Sequence, residues 1–387
     1  MTTIEGVARL DQQATAVAAV DERAAAVTVI DEQAAAVTVI DESKVEAFAG
    51  KIVHDLGIGH NTLLAYLGDR LGLWRALAAH AGSTSAELAR QCGYTERYVR
   101  EWLAAQAAAG YVTYDPVLQS FTLPAEHALV LAQEDSPAFM ASGFEVLASV
   151  WETADELANG YAGGDGLGWH AHDSRLFVGF ERFFRPAFRH LLVPQWLPSV
   201  PGLVERLRAG ARVLDVGSGL GTATIAMAEA FPASTFTGVD YHRESVRRAR
   251  SAAEDAGVQD RVTFRVRDAQ SYEGSYDLIC MFDTLHDLGD PVGSLRHAKR
   301  HLTDGGWFFA VEPNAGDHLE ENLHPLGLIW YASSHNLCVP HAVSQGGAAL
   351  GNQAGLARTL HVLADGGFAQ AQKVAETPFS LVIAART

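Results

Sequence analysis

One stretch constrains the fold of this chain more than any other: ARVLDVGSGLGTATIAMAEAF, residues 211–231. An apolar run closes on Asp215, a glycine-rich turn follows, and then a segment of helical composition. Gly217, Gly219 and Gly221 leave bare backbone at the carboxyl end of a strand, where an adenine-containing ligand can lie against it. Strand, turn and helix in this order form the opening unit of a doubly wound parallel sheet. The spacing is G-x-G-x-G rather than the G-x-G-x-x-G of dinucleotide binding, which weighs against a nicotinamide. Asp215, two positions before the first glycine, favours a ligand with a positive end.

The rest of the C-terminal half continues the alternation. Strands are expected at 211–216, 235–240, 262–267, 276–282 and 306–312, with helices between them. QKVAETPFSLVIAART adds two strands that meet at Thr377–Pro378, an antiparallel ending foreign to the dinucleotide-binding sheet. Acids close successive strands. Asp240 in TFTGVDYH suits a pair of ribose hydroxyls, and Asp268 with the backbone of Ala269 suits an adenine edge. Phe282, at the end of YDLICMF, flanks the other end of the crevice. One acid at a strand end is commonly a helix cap; a series of them reads as a cofactor site. Asp215 suits a positive end such as the methionine ammonium of S-adenosylmethionine (SAM), whereas Asp240 would serve NAD equally.

The N-terminal half has a different character. At 387 residues the chain has room for two domains. Residues 11–40 repeat a ten-residue unit (DQQATAVAAV, DERAAAVTVI, DEQAAAVTVI). On a helix, each copy lands about 80° off the last, so no apolar stripe survives, and residues 1–43 are expected to form a weakly ordered extension. LLAYLGDRLGLWRALAAHAG reads as helix ending on Gly82. A helix, a turn at Gly93, a second helix over 95–109 and a hairpin then make a winged-helix arrangement within 44–136. The second helix sets Glu96 and Glu101 beside Arg97 and Arg100 and is otherwise mostly apolar, which suits packing or dimerisation better than a DNA groove. The formal net charge of −17 also opposes a nucleic-acid partner. Residues 137–210, rich in Phe and Arg, read as a helical connector, and 211–387 as the cofactor-binding domain.

Cys92, Cys280 and Cys338 share no metal-ligand spacing and give no disulfide framework, so no metal is expected. The start shows no basic-then-apolar leader, and no run of about 18 apolar residues suggests a membrane span. These features point to a cytoplasmic protein.

Together VLDVGSGLGT, GVD, RDA, YDLICMFDTLHDLGDP and GGWFFAVEP resemble a class I SAM-dependent methyltransferase. GDRLGLWRAL, TSAELA and TERYVREWLAAQAAAGYV resemble the N-terminal winged-helix domain of a bacterial two-domain subfamily, so the resemblance covers about 44–387. It implies a seven-stranded, doubly wound Rossmann-like α/β sheet with an N-terminal helical winged-helix-like domain. Its activity would be methyl transfer to a small molecule, with oxygen the leading acceptor atom and sulfur or nitrogen open. By carry-over, Asp215, Gly217, Gly219 and Gly221 hold the methionine end, Asp240 the ribose, and Asp268 and Ala269 the adenine. His286 and Asp287 match a His-Asp pair whose histidine is the general base in plant-type O-methyltransferases, although Leu288 stands where those have tryptophan. Glu312 and Tyr331 are candidates for acceptor binding. A homodimer is expected. The rival reading is a winged-helix transcriptional regulator that senses SAM or a metabolite.

Overall fold

The computed structural model describes residues 28–30, 37–347 and 349–386. Two compact units are formed, residues 1–61 and 62–387. The weak order expected of the repeat falls mostly on residues outside those described. Within it, β1 (Thr28–Ile30) and β2 (Val37–Val39) pair antiparallel, so the β-branched ends of two copies form a strand pair. Helix drift was the wrong frame for those residues. The helix Glu42–Arg70 follows and contributes to both units.

In the second unit, the helical run read to Gly82 breaks at Gly72, which takes φ 72°, and resumes over Leu73–Ala79. The helices Ser85–Cys92 and Glu96–Ala108 and the hairpin β3 (Thr113–Asp115) and β4 (Ser120–Thr122) complete the winged-helix pattern. Thr84 and Glu87 form a reciprocal capping box that starts the first of these helices. Trp74 and Trp102 cross edge to face at 4.6 Å, each indole N–H donating to a carbonyl of the long helix, Ala65 and Leu64. Gly68 permits this approach, because a Cβ there would lie 2.6 Å from Trp74 Nε1. On the helix Glu96–Ala108, Val99, Trp102 and Leu103 are buried, while Arg97 pairs with Glu101 and Arg100 with Glu96. Its exposed face therefore carries balanced charge.

The connector holds the helices Gly143–Glu152, Ala154–Gly163 and Ser174–Ala187, a wide-turn helix Phe188–Trp196 and the helix Leu203–Ala209. Then come β5 (Arg212–Val216), β6 (Thr235–Asp240), β7 (Val262–Val266), β8 (Tyr276–Phe282), β9 (Leu302–Pro313), β10 (Gln372–Glu376) and β11 (Ser380–Arg386). They form one seven-stranded sheet of order β10-β11-β9-β8-β5-β6-β7. β5 to β9 run parallel, and β11 is antiparallel to both neighbours. This is the doubly wound sheet with the antiparallel ending read from the sequence.

Strand alternation builds two cores. Val213, Leu278, Cys280 and Phe309 face one helical layer with Met227 and Val246. Leu214, Ile279, Met281 and Phe308 face the other with Leu295 and Leu363. Strand order reverses between β5 and β8, and the crevice beyond their carboxyl ends is where such a sheet takes its ligand.

Candidate active site

A cavity of about 520 Å³ opens at that reversal. Its walls include Asp215, Gly217, Gly219, Asp240, Asp268, Ala269, Phe282 and Asp287, all expected from the sequence. Gly221, His286, Glu312 and Tyr331 are not on its walls.

The glycine turn fits tightly. Gly217 takes φ 77°, and a Cβ on it would sit 2.5 Å from the Thr284 side chain. Asp240 organises the loop: its carboxylate accepts the N–H of Gly219 at 2.9 Å and that of His242 at 2.8 Å. Acceptor capacity remains for ribose hydroxyls, since an ionised carboxylate offers about four lone-pair sites. Asp268 accepts the Gln270 N–H at 2.9 Å and so caps its own turn at the cavity edge. Asp215 is fully buried. Its Oδ2 accepts from Thr224 Oγ1 at 2.5 Å, while Oδ1 has no hydrogen-bond partner. Burial pushes its pKa up to about 7, Asp240 adds to the rise, and the Thr224 bond opposes it. An orphaned acceptor on a reluctant carboxylate is matched by a cationic donor, and the ammonium of SAM is one. The residues present therefore fit this cofactor.

Part of the lining is aromatic. Trp169 packs against Phe180 at 5.5 Å, Phe177 stacks on His242 at 4.3 Å, and Tyr241 stacks on His341 at 5.7 Å. His341 is held between the Trp169 N–H and the Gln345 side chain, and burial pulls its pKa down. Of these, the sequence offered only the Phe-rich connector as a source of rings. The others, Tyr241 and His242 just after β6 and His341, are singled out by nothing in spacing.

His286 departs from its expected place. It is buried, with Nδ1 2.6 Å from Glu312 Oε2 and Nε2 3.3 Å from Asp287 Oδ1. Both ring nitrogens therefore face carboxylates. Glu312 does not reach toward an acceptor either. Its oxygens also accept the N–H groups of Thr284, Leu285 and His286 at 3.3, 2.9 and 3.3 Å, pinning the turn after β8. Burial pulls the His286 pKa down, but Asp287 and Glu312 outweigh it and hold the imidazole well above its ordinary value.

Residues 207–355 match the family described as "Methyltransferase domain", and residues 59–133 match the "Rv2258c-like winged HTH domain". The chain carries a class I SAM-dependent methyltransferase domain. A 27-O-demethylrifamycin SV methyltransferase of Amycolatopsis mediterranei is 38% identical over 103 residues. That match takes in 26% of this chain and 38% of the relative, so the chain spans well under two thirds of that relative's length. Among solved structures, an O-methyltransferase family protein from Burkholderia thailandensis aligns over 90% of this chain and 99% of its own, at a TM-score of 0.62 and 17% identity. Human N-acetylserotonin methyltransferase, solved with SAM, aligns over 88% and 97%, at a TM-score of 0.63 and 17% identity. The methyltransferase domain and its winged partner thus share the fold of two-domain O-methyltransferases.

Proposed function

We propose that the chain is a methyltransferase that moves the SAM methyl group to a small molecule, with oxygen as the accepting atom. The observation that carries this reading is the strand-end cavity, whose lining combines Asp215, with its unpaired Oδ1, and a set of aromatic rings. When bound, SAM supplies an electrophilic methyl on a sulfonium. Asp215 and the Gly217–Gly221 turn would hold its amino-acid end, Asp240 its ribose, and Asp268 with Ala269 its adenine. Trp169, Phe177 and Phe180 suit a flat, apolar acceptor and exclude water around it. The matching curated relative is named as a 27-O-demethylrifamycin SV methyltransferase, which supports oxygen as the accepting atom.

Calorimetry with SAM, followed by a screen of phenols, thiols and amines for S-adenosylhomocysteine release, tests the reading. Asp240→Ala should weaken SAM binding by roughly 1.5–3 kcal/mol, the worth of hydrogen bonds to a charged group. Absence of SAM binding by the unaltered protein would overturn the assignment.

The protein is proposed to act as a cytoplasmic homodimer. No described helix is long and apolar enough to cross a membrane. Val45, Phe48, Ile52 and Leu56 follow helical spacing and are all exposed, which suits a face covered by a second copy. Phe48→Glu should shift sedimentation toward monomer; an unchanged species would exclude this face. A regulator would need a basic reading helix, and Arg97 and Arg100 are instead paired with glutamates.

A further inference from the structure

We propose that Asp283 is the residue that takes the acceptor's proton, and that His286 is a fixed cation behind it that positions the turn. This rests on the methyltransferase reading above.

The placement is geometric first. Asp283 directly follows β8 and lines the cavity beside Phe282 and Thr284. Its φ is +52°, in the left-handed region that few non-glycine residues occupy, Asp among the more frequent of them. Its neighbours hold it there. The Asp283 N–H donates to Val311 O at 2.7 Å, and the next three N–H groups all donate to Glu312. Residues held in such sparsely populated backbone regions gather at working sites. His286, by contrast, has no wall of the cavity. A general base must reach the proton that it removes, directly or through one water. With Nδ1 on Glu312, Nε2 3.3 Å from Asp287 Oδ1 and the ring off the cavity wall, neither nitrogen is placed to take a proton from a bound acceptor.

The charges then sort themselves. Glu312 and Asp287 face the imidazole at 2.6 and 3.3 Å, and all three groups act electrostatically on Asp283; acids that close do not all ionise readily. Asp283 is pushed up to about 7, first by burial and then by Glu312 and Asp287, while His286 pulls it down. A base with a pKa near the working pH combines availability with driving force. The Cys338 thiol lies against His286 and Asp287 and is driven up by burial, so it stays neutral, and neutral His341 faces Asp287 from the same segment.

The step balances without further reagents. The acceptor's O–H proton passes to an Asp283 carboxylate oxygen. The freed oxygen lone pair forms the new bond to the methyl carbon of the sulfonium donor. The C–S pair stays on sulfur, which leaves as a neutral thioether. Asp283 then returns its proton to water through the cavity.

The test compares Asp283→Asn with His286→Gln, using kinetics, SAM calorimetry and NMR. Asp283→Asn should lower turnover by about 10²–10⁴-fold, keep SAM affinity within about threefold, and remove the acid limb of the kcat–pH profile. His286→Gln should keep that limb and move it to higher pH, because the cation that lowers the Asp283 pKa is gone. If His286→Gln removes the limb and Asp283→Asn retains it, the histidine is the base. If Asp283→Asn costs tenfold or more in SAM affinity and the limb persists, Asp283 is a cofactor clamp. Should either variant fail to fold, nitrogen-15 NMR of the unaltered protein decides: both His286 ring nitrogens should be protonated at neutral pH, and a neutral ring would overturn the proposal. Failure of SAM to bind would instead strike the underlying reading and leave the NMR result standing.

Discussion

Two cation-centred clusters lie in this molecule, and they are built alike but behave differently. In the connector, Arg182 donates to Asp69 at 2.6 and 3.0 Å, to Glu134 at 2.6 Å and to Glu145 at 3.1 Å. Beside the cavity, His286 sits among Glu312, Asp287 and Asp283. A guanidinium spreads five donors in a rigid fork and never gives up its proton. It can satisfy three carboxylates from different elements at once, so the first cluster is a rivet between the winged part and the helix Ser174–Ala187. An imidazole has only two donors. Here Nδ1 meets Glu312, Asp287 Oδ1 lies 3.3 Å from Nε2 without a hydrogen-bond partner, and Asp283 stands at the cavity wall. Same charge pattern, different cation: one cluster fastens, and the other keeps a proton site in reserve.

Breaking the first cluster should have the largest effect. Arg182→Ala leaves Asp69, which is almost fully buried, beside two other acids with only the longer Arg75 contact at 3.6 Å. Removing one partner of a buried ion pair typically costs about 3–5 kcal/mol, and a denaturant melt should register it. Arg182→Lys restores the charge without the fork and should recover only part of the loss. In the second cluster His286→Gln should cost less, about 1–3 kcal/mol, because Glu312 keeps its three backbone donors. Equal losses at the two sites would erase the distinction drawn here.

Mild pH change sharpens the comparison further, with the smallest expected effect. Asp215 and Asp283 are held near 7, above the carboxylate range of an unfolded chain. Between those values the folded chain keeps protons that the unfolded chain has lost, so stability falls as pH rises from about 4 toward about 7. His286 acts in the same direction: its raised pKa stabilises below the ordinary histidine value, and that gain is lost as pH rises through the folded value. The ligand-free protein should therefore melt several degrees higher at about pH 6 than at about pH 8. In Arg182→Ala the same pH step should give the same difference, since the arginine does not titrate there.

Much of this was legible in the sequence. Every strand of the main sheet was, because parallel strands buried on both faces read as apolar runs ended by acids and glycines. Asp215, Asp240 and Asp268 were found by the rule that acids at strand ends line the crevice. The same rule applied once more, to the residue after YDLICMF, gives Asp283. It was passed over because the His-Asp pair three positions on drew attention to itself. What sequence reading could not supply was the partner of His286. Glu312 lies 26 positions away on another strand, and only the β8–β9 register joins them. The Arg182 rivet is remoter still, with Asp69 113 positions distant. The aromatic wall was anticipated only as a bias toward Phe in the connector, since composition does not say which ring faces inward.

Trp169 closes one side of the cavity. The chain has seven tryptophans, and among the described residues this is the only one on those walls. Emission of an indole depends on the polarity of its surroundings and on nearby quenchers. Filling the cavity replaces water with ligand against this one ring while the other six keep their settings. The protein thus carries its own optical gauge of occupancy, usable before any acceptor has been identified and silent in a Trp169→Phe variant.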